Sequence, residues 1–145
     1  MRCPIVACSL LVFSQVAISD DAVKKAASKY VPGVTWHSDN VIRADFTCRG
    51  RKQTAILGEG PKEVVVVVFL SGLDHRPEIL RFTFFQSSPK IEADDLDYDP
   101  EDLDYPLPGF QRSKTCKGLS VDDGETDPAH VYWNHKSGQF NFWRN

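Results

Sequence analysis

A chain of 145 residues, 41% hydrophobic and 26% charged, is long enough for one buried core and too balanced in composition for a disordered or fibrous protein. A formal net charge of −3, with Arg49-Gly50-Arg51-Lys52 as the single basic cluster, excludes a nucleic-acid footprint. Beyond the N-terminus no run approaches the ~20 apolar residues of a spanning helix, so no membrane span is expected in the mature chain.

The N-terminus reads as an export signal. Met1-Arg2 is a short basic start, Ile5 to Ile18 is mainly apolar, and Ala17 and Ser19 put small residues at the −3 and −1 positions before Asp20. Residues 1–19 are therefore expected to be a signal peptide and residues 20–145 a single β-rich domain, periplasmic or extracellular. Removal of residues 1–19 moves the net charge from −3 to −4 and takes Cys3 and Cys8 with it. Cys48 and Cys116 remain, and two cysteines in an exported chain read as one disulfide.

Asp20 to Tyr30 has helical spacing, with Asp20 or Asp21 as cap and Pro32-Gly33 as stop. From Val34 the period changes to two. Ile42, Ala44, Phe46 and Cys48 alternate with polar neighbours as a half-buried strand, Arg49 to Lys52 turns, and Thr54 to Leu57 returns. Glu63 to Leu70 holds five consecutive valines and no polar face, which predicts a strand covered on both sides. Glu78 to Phe85, with Leu80, Phe82 and Phe84 alternating, is expected to pair with it antiparallel at the centre of the sheet.

Composition then shifts. Glu92 to Asp104 has eight acids and no base, with Asp95-Leu96-Asp97-Tyr98 echoed seven residues later by Asp102-Leu103-Asp104-Tyr105. Pro100, Pro106 and Pro108 argue against a long helix, and the stretch reads as an ordered surface loop. Cys116 to Val121 is a further strand, and an acidic turn follows from Asp122 to Pro128. Ala129, Val131 and Trp133 then face one way, Lys136 to Gln139 turns, and Phe140 and Phe142 return as a hairpin. The fold class expected is mainly β, an antiparallel sheet or a sandwich or partial barrel with a short N-terminal helix.

Residues 45–57 resemble a single repeat of the FG-GAP/VCBS type, in which an Asp-Phe-Asn-Gly-Asp-Gly loop precedes an Ala-Val-Leu strand. Asp45, Phe46, Gly50 and Ala55-Ile56-Leu57 carry the resemblance, which implies a calcium loop. Thr47 and Cys48 fill the Asn-Gly positions, Arg49 replaces the central acid and Gln53 the final one. With one ligand carboxylate left between two cations, the stretch reads as a turn that keeps the backbone and not the ion. Asp122, Asp123, Glu125 and Asp127 are the better calcium candidates, although they lack the EF-hand spacing and its closing glutamate.

His37, His75, His130 and His135 show no metal spacing, and His130 and His135 would fall on opposite faces of one strand. The nucleophile-elbow, zincin and phosphate-loop motifs are missing, so an enzyme is not the expected reading. Glu125 and Asp127 near His130 keep a small hydrolase as a further alternative. The expected function is that of an exported binding protein, an inhibitor or immunity-type protein neutralising a basic cell-wall-degrading enzyme or toxin. Asp95, Asp97, Tyr98, Asp99, Asp102, Asp104 and Tyr105 form its expected partner surface. A calcium-dependent surface module is the alternative.

Overall fold

The computed structural model describes residues 17–83 and 88–144. Most of the predicted signal peptide, and the predicted continuation of one strand through Phe84 and Phe85, lie outside the described residues. The elements are a helix α1 (Asp20–Tyr30) and eight strands: β1 (Thr35–Ala44), β2 (Gln53–Glu59), β3 (Val64–Phe69), β4 (Glu78–Phe82), β5 (Lys90–Leu96), β6 (Ser113–Asp122), β7 (Ala129–Asn134) and β8 (Gln139–Trp143). The strands form two antiparallel four-stranded sheets, in the orders β1-β2-β3-β4 and β5-β6-β7-β8. Consecutive halves of the chain thus build one sheet each, and the mainly β reading holds.

The valine strand explains the layering. In β3, Val64, Val66 and Val68 point to one side, where they meet Ile91, Leu119, Val121, Val131, Trp133 and Phe140 of the second sheet. Val65, Val67 and Phe69 point to the other and pack with Val23, Ala27, Trp36 and Ile56. Period-two alternation delivers side chains to both faces, so a strand without a polar residue needs cover on both. Helix α1 supplies the outer cover, because Val23 and Ala27 lie four residues apart on one helical face and are fully buried. Each buried valine of this strand contributes about 1.5–3 kcal/mol against exposure.

Three details differ from the sequence reading. The helix is capped by Ser19, whose hydroxyl accepts from the Ala22 N–H, and Asp20 and Asp21 occupy the first turn, where acids suit the helix dipole. Strand β1 begins at Thr35 and ends at Ala44, so Cys48 lies in the following turn, at φ 55°, and not on the strand's apolar face. The β3–β4 pair is antiparallel as expected, but β4 closes the edge of its sheet and β2–β3 is the central pair.

Specific links also join the sheets beyond the core. The side chain of Asn40 accepts from the Ile91 N–H and donates to the Pro89 carbonyl, joining the irregular middle of β1 to the start of β5. The Lys117 N–H donates to the Asp45 carbonyl at 2.9 Å, and next to that contact Cys48 and Cys116 form the expected disulfide, with Cα atoms 5.1 Å apart. No helix among the described residues is long and apolar enough to cross a membrane.

Candidate functional site

The acidic stretch begins as a strand, not as a loop. Lys90 to Leu96 is β5, paired along its length with β6, and only the residues after Leu96 leave the sheet. Sequence reasoning missed it because acids disfavour strands, yet an edge strand tolerates them and is kept from pairing with other chains by them. Two of its carboxylates are spent locally. Asp95 pairs with Lys117, and Asp94 pairs with His130 at 2.8 Å.

The Asp94–His130 pair spans two strand spacings, roughly 10 Å, because β6 lies between β5 and β7. Gly118, the β6 partner of Asp94, makes this reach possible. A Cβ there would stand 2.4 Å from the Val131 carbonyl oxygen and 3.0 Å from Leu96, so the strand is left without a side chain between the acid and the imidazole.

His130, Tyr132 and Trp143 face away from the core sheet interface, and they found a third apolar cluster. Leu96, Cys116 and Tyr132 are its buried members, with Cys48, Tyr98, Leu107, Phe110 and Trp143 packed around them. The rings are ordered by stacking and hydrogen bonds. Tyr98 stacks on Phe110 at 4.9 Å, Phe110 meets Tyr132 edge-on, and the Trp143 N–H donates to the Tyr98 hydroxyl at 3.2 Å. Burial pushes both the Tyr98 and the Tyr132 phenols above the usual tyrosine range. Tyr98, expected on the partner surface, is half-buried and props this layer through Phe110 and Trp143.

The segment from Asp97 to Phe110 is laid over the cluster and fixed at several points. Arg112 donates to Asp97 at 2.6 Å, which holds that carboxyl below the usual carboxylate range. Asp99 caps the short 3-10 turn Pro100–Asp102 by accepting from the Glu101 N–H. Tyr132 donates its hydroxyl proton to the Pro108 carbonyl, and the His135 N–H donates to the Gly109 carbonyl. Glu101, Asp102, Asp104 and Tyr105 remain exposed. Of the expected partner-binding residues, Asp95 pairs with Lys117 across the β5–β6 ladder, Asp97 and Asp99 hold the segment, and Asp102, Asp104 and Tyr105 are presented.

Between this segment and β8 opens a cleft of about 500 Å³, lined by Tyr105, Pro106, Leu107 and Pro108 on one side and by Tyr132 and Asn141 to Arg144 on the other. Tyr105 is 49% exposed and Phe142 51%, and they are two of the three large hydrophobic side chains exposed among the described residues. The hairpin reading contained the signal for this face. With Ala129, Val131 and Trp133 pointing to the core, His130, Tyr132 and Trp143 had to point outward, and three such rings on an outer face call for a second cover.

In the two turns weighed for calcium, Asp45, Asp122 and Asp123 accept backbone N–H groups. Both oxygens of Asp45 accept N–H groups, from Arg49 and Gly50, while Gln53 bonds the Phe46 N–H and the Thr47 hydroxyl. In the second turn Asp123 is 6% exposed and one of its oxygens accepts from the Glu125 N–H, the Thr126 N–H and the Thr126 hydroxyl. Asp122 accepts from the Gly124 N–H, and Glu125 and Asp127 are exposed. Among the described residues no three His, Cys, Asp or Glu side chains stand close enough to share a metal ion. His135 lies beyond the end of β7 in the turn, with its imidazole pushed below the usual histidine range by burial and by Arg49.

Compared with models of protein families, with curated proteins and with solved structures, the chain gave no match in any of the three.

Proposed function

We propose that the chain is an exported binding protein, of the inhibitor or immunity type, whose acidic segment after β5 receives a basic protein partner. The observation that carries this reading is the division of labour within the segment. Asp97 and Asp99 fix it, while Glu101, Asp102 and Asp104 are exposed and make no ion pair among the described residues. Fixed carboxylates turned to solvent give a local negative field that steers a cationic partner and cost little to order on binding. Tyr105, next to Asp104, adds a rigid contact that such surfaces use as an anchor.

Export is supported by the leader-like N-terminus and by the Cys48–Cys116 disulfide, which persists outside the reducing cytosol. Cleavage after Ser19 would remove the helix cap and leave the α-amino group of Asp20 at the helix start, so N-terminal sequencing of the exported protein tests the processing site directly.

The binding test is retention of basic cell-wall hydrolases on immobilised protein at low and at high salt. Retention at low salt, weakened by salt and by the combined Glu101→Gln, Asp102→Asn and Asp104→Asn changes, is expected. Failure to retain any of them at low salt would overturn the reading.

A further inference from the structure

We propose that the cleft beside the acidic segment seats an aromatic or large aliphatic side chain of an extended, cationic stretch of the partner, which aligns along the edge of β8. This deepens the reading above and rests on it. Three consecutive residues of β8, Asn141 to Trp143, line the cleft although neighbours in a strand point to opposite faces. The cleft therefore wraps the edge of β8 instead of lying on one face. That edge ends its sheet, with no strand hydrogen bonded beyond it among the described residues. An extended segment can use such an edge for main-chain hydrogen bonds while alternate side chains enter pockets.

The walls are built before any partner arrives. Pro106 and Pro108 stiffen one side, and its carbonyls at Pro108 and Gly109 are held by Tyr132 and by the His135 N–H. On the other side Trp143 is fixed between the His130 ring and the Tyr98 hydroxyl. Such a volume, with walls that mix aromatic and polar groups, falls in the range of small binding sites, and preorganised walls reduce the ordering cost of association. Charge selects the occupant. Asp104 adjoins Tyr105 at the lip and Asp102 lies three residues before it, so lysines or arginines flanking the anchor meet carboxylates. The Asn141 side chain lines the same cleft and is hydrogen-bonded to the Tyr132 hydroxyl, which adds to the preorganisation of that wall.

The test is a titration of isotope-labelled protein, disulfide intact, with three short capped peptides followed by nuclear magnetic resonance at low salt. One alternates Lys and Thr around a central Trp, the second replaces that Trp by Ala, and the third replaces Lys by Glu. The first should bind about tenfold more tightly than either of the others and move the Tyr105, Asn141 and Phe142 amides and the Trp143 indole. Tyr105→Ser should lose most of that advantage, and Phe142→Ser likewise if its melt shows it folded. Equal binding of the Trp and Ala peptides would overturn the anchor and leave the acidic-surface reading standing. Equal binding of the Lys and Glu peptides, or movement of the same signals with protein concentration alone, would overturn the cationic occupant in favour of a neutral ligand or a second copy. No binding of either lysine peptide would overturn both.

Discussion

The imidazole of His130 lies almost flat on the indole of Trp143, with centroids 4.4 Å apart and planes within 19°. Asp94 holds the other end of that imidazole through Nδ1, and the indole passes its own N–H to Tyr98. A carboxylate on β5 is thereby connected, through rings on β7 and β8, to a hydroxyl in the acidic segment. The two partners of the Asp94–His130 hydrogen bond are each about one-fifth exposed, so the contact is largely shielded from water, where losing a polar partner costs about 1–3 kcal/mol. A double-mutant cycle of Asp94→Asn and His130→Gln, read from denaturant melts, should give a coupling of about 1–2 kcal/mol. Simple additivity would mean that the pair contributes nothing as a pair.

Gly109 marks where the acidic segment is pinned to the β7–β8 turn. Its φ is +69°, and a Cβ there would stand 1.9 Å from the Asn134 side-chain oxygen. That oxygen already accepts the N–H groups of Lys136 and Ser137 and cannot move without opening the turn. Gly109→Ala should destabilise the protein by about 2–3 kcal/mol through strain and the lost turn bonds. A melt measures this, and a change below about 0.5 kcal/mol would show that the segment can lift away at little cost.

The disulfide closes a long stretch of chain, with 68 residues of separation between its cysteines. On the chain-entropy account a loop of that size stabilises by roughly 4 kcal/mol, with measured cases usually 2–4. Paired Cys48→Ser and Cys116→Ser changes should lower the guanidinium midpoint accordingly. They should also loosen the aromatic layer, since both cysteines belong to it. Near-ultraviolet circular dichroism reports that loosening. An unchanged aromatic signal would place the disulfide outside the cluster's mechanical support.

Asp123 gives the fold an acid-sensitive corner. The Thr126 N–H, then the Glu125 N–H and the Thr126 hydroxyl, stabilise its carboxylate and hold its pKa below the usual value. A group with a depressed folded pKa contributes stability above its unfolded pKa and loses it as pH falls through the folded one. Asp123→Asn should therefore lower Tm at neutral pH, and the difference from the parent should shrink by about pH 2, below the carboxylate range. A constant difference across that interval would show that charge plays no part in the corner.

The valine strand, the final hairpin, the helix and the disulfide were all legible because each is announced by a local pattern or by elimination among few cysteines. Strand β5 was not, because Glu92, Asp94 and Asp95 suppress the apolar alternation that marks a strand, and its start is tied to β1 through Asn40, a long-range bond with no local trace. The candidate site was half legible. Asp102, Asp104 and Tyr105 could be named from composition, whereas the cleft needs Pro106 to Pro108 laid against Asn141 to Arg144, a meeting decided only by the packing of the aromatic layer. At Asp45 both carboxylate oxygens accept backbone N–H groups, as the sequence reading of a turn without its ion expects. A carboxylate ahead of a tight glycine turn satisfies backbone N–H groups as readily as it satisfies an ion.

Because each sheet comes from one continuous half of the chain, the order of synthesis matters. Strands β1 to β4 are complete before Leu119, Val131 or Phe140 has been made. During that interval α1 can shield Val65 and Val67, but Val64, Val66 and Val68 face water on a strand of high β-propensity and no charge. A nascent half-molecule of this kind invites self-association and calls on chaperones, and that vulnerability ends only when the second sheet closes over it. Ribosome-bound chains whose β4 has just cleared the exit tunnel should accordingly recruit holdases, and full-length chains released from the ribosome should not.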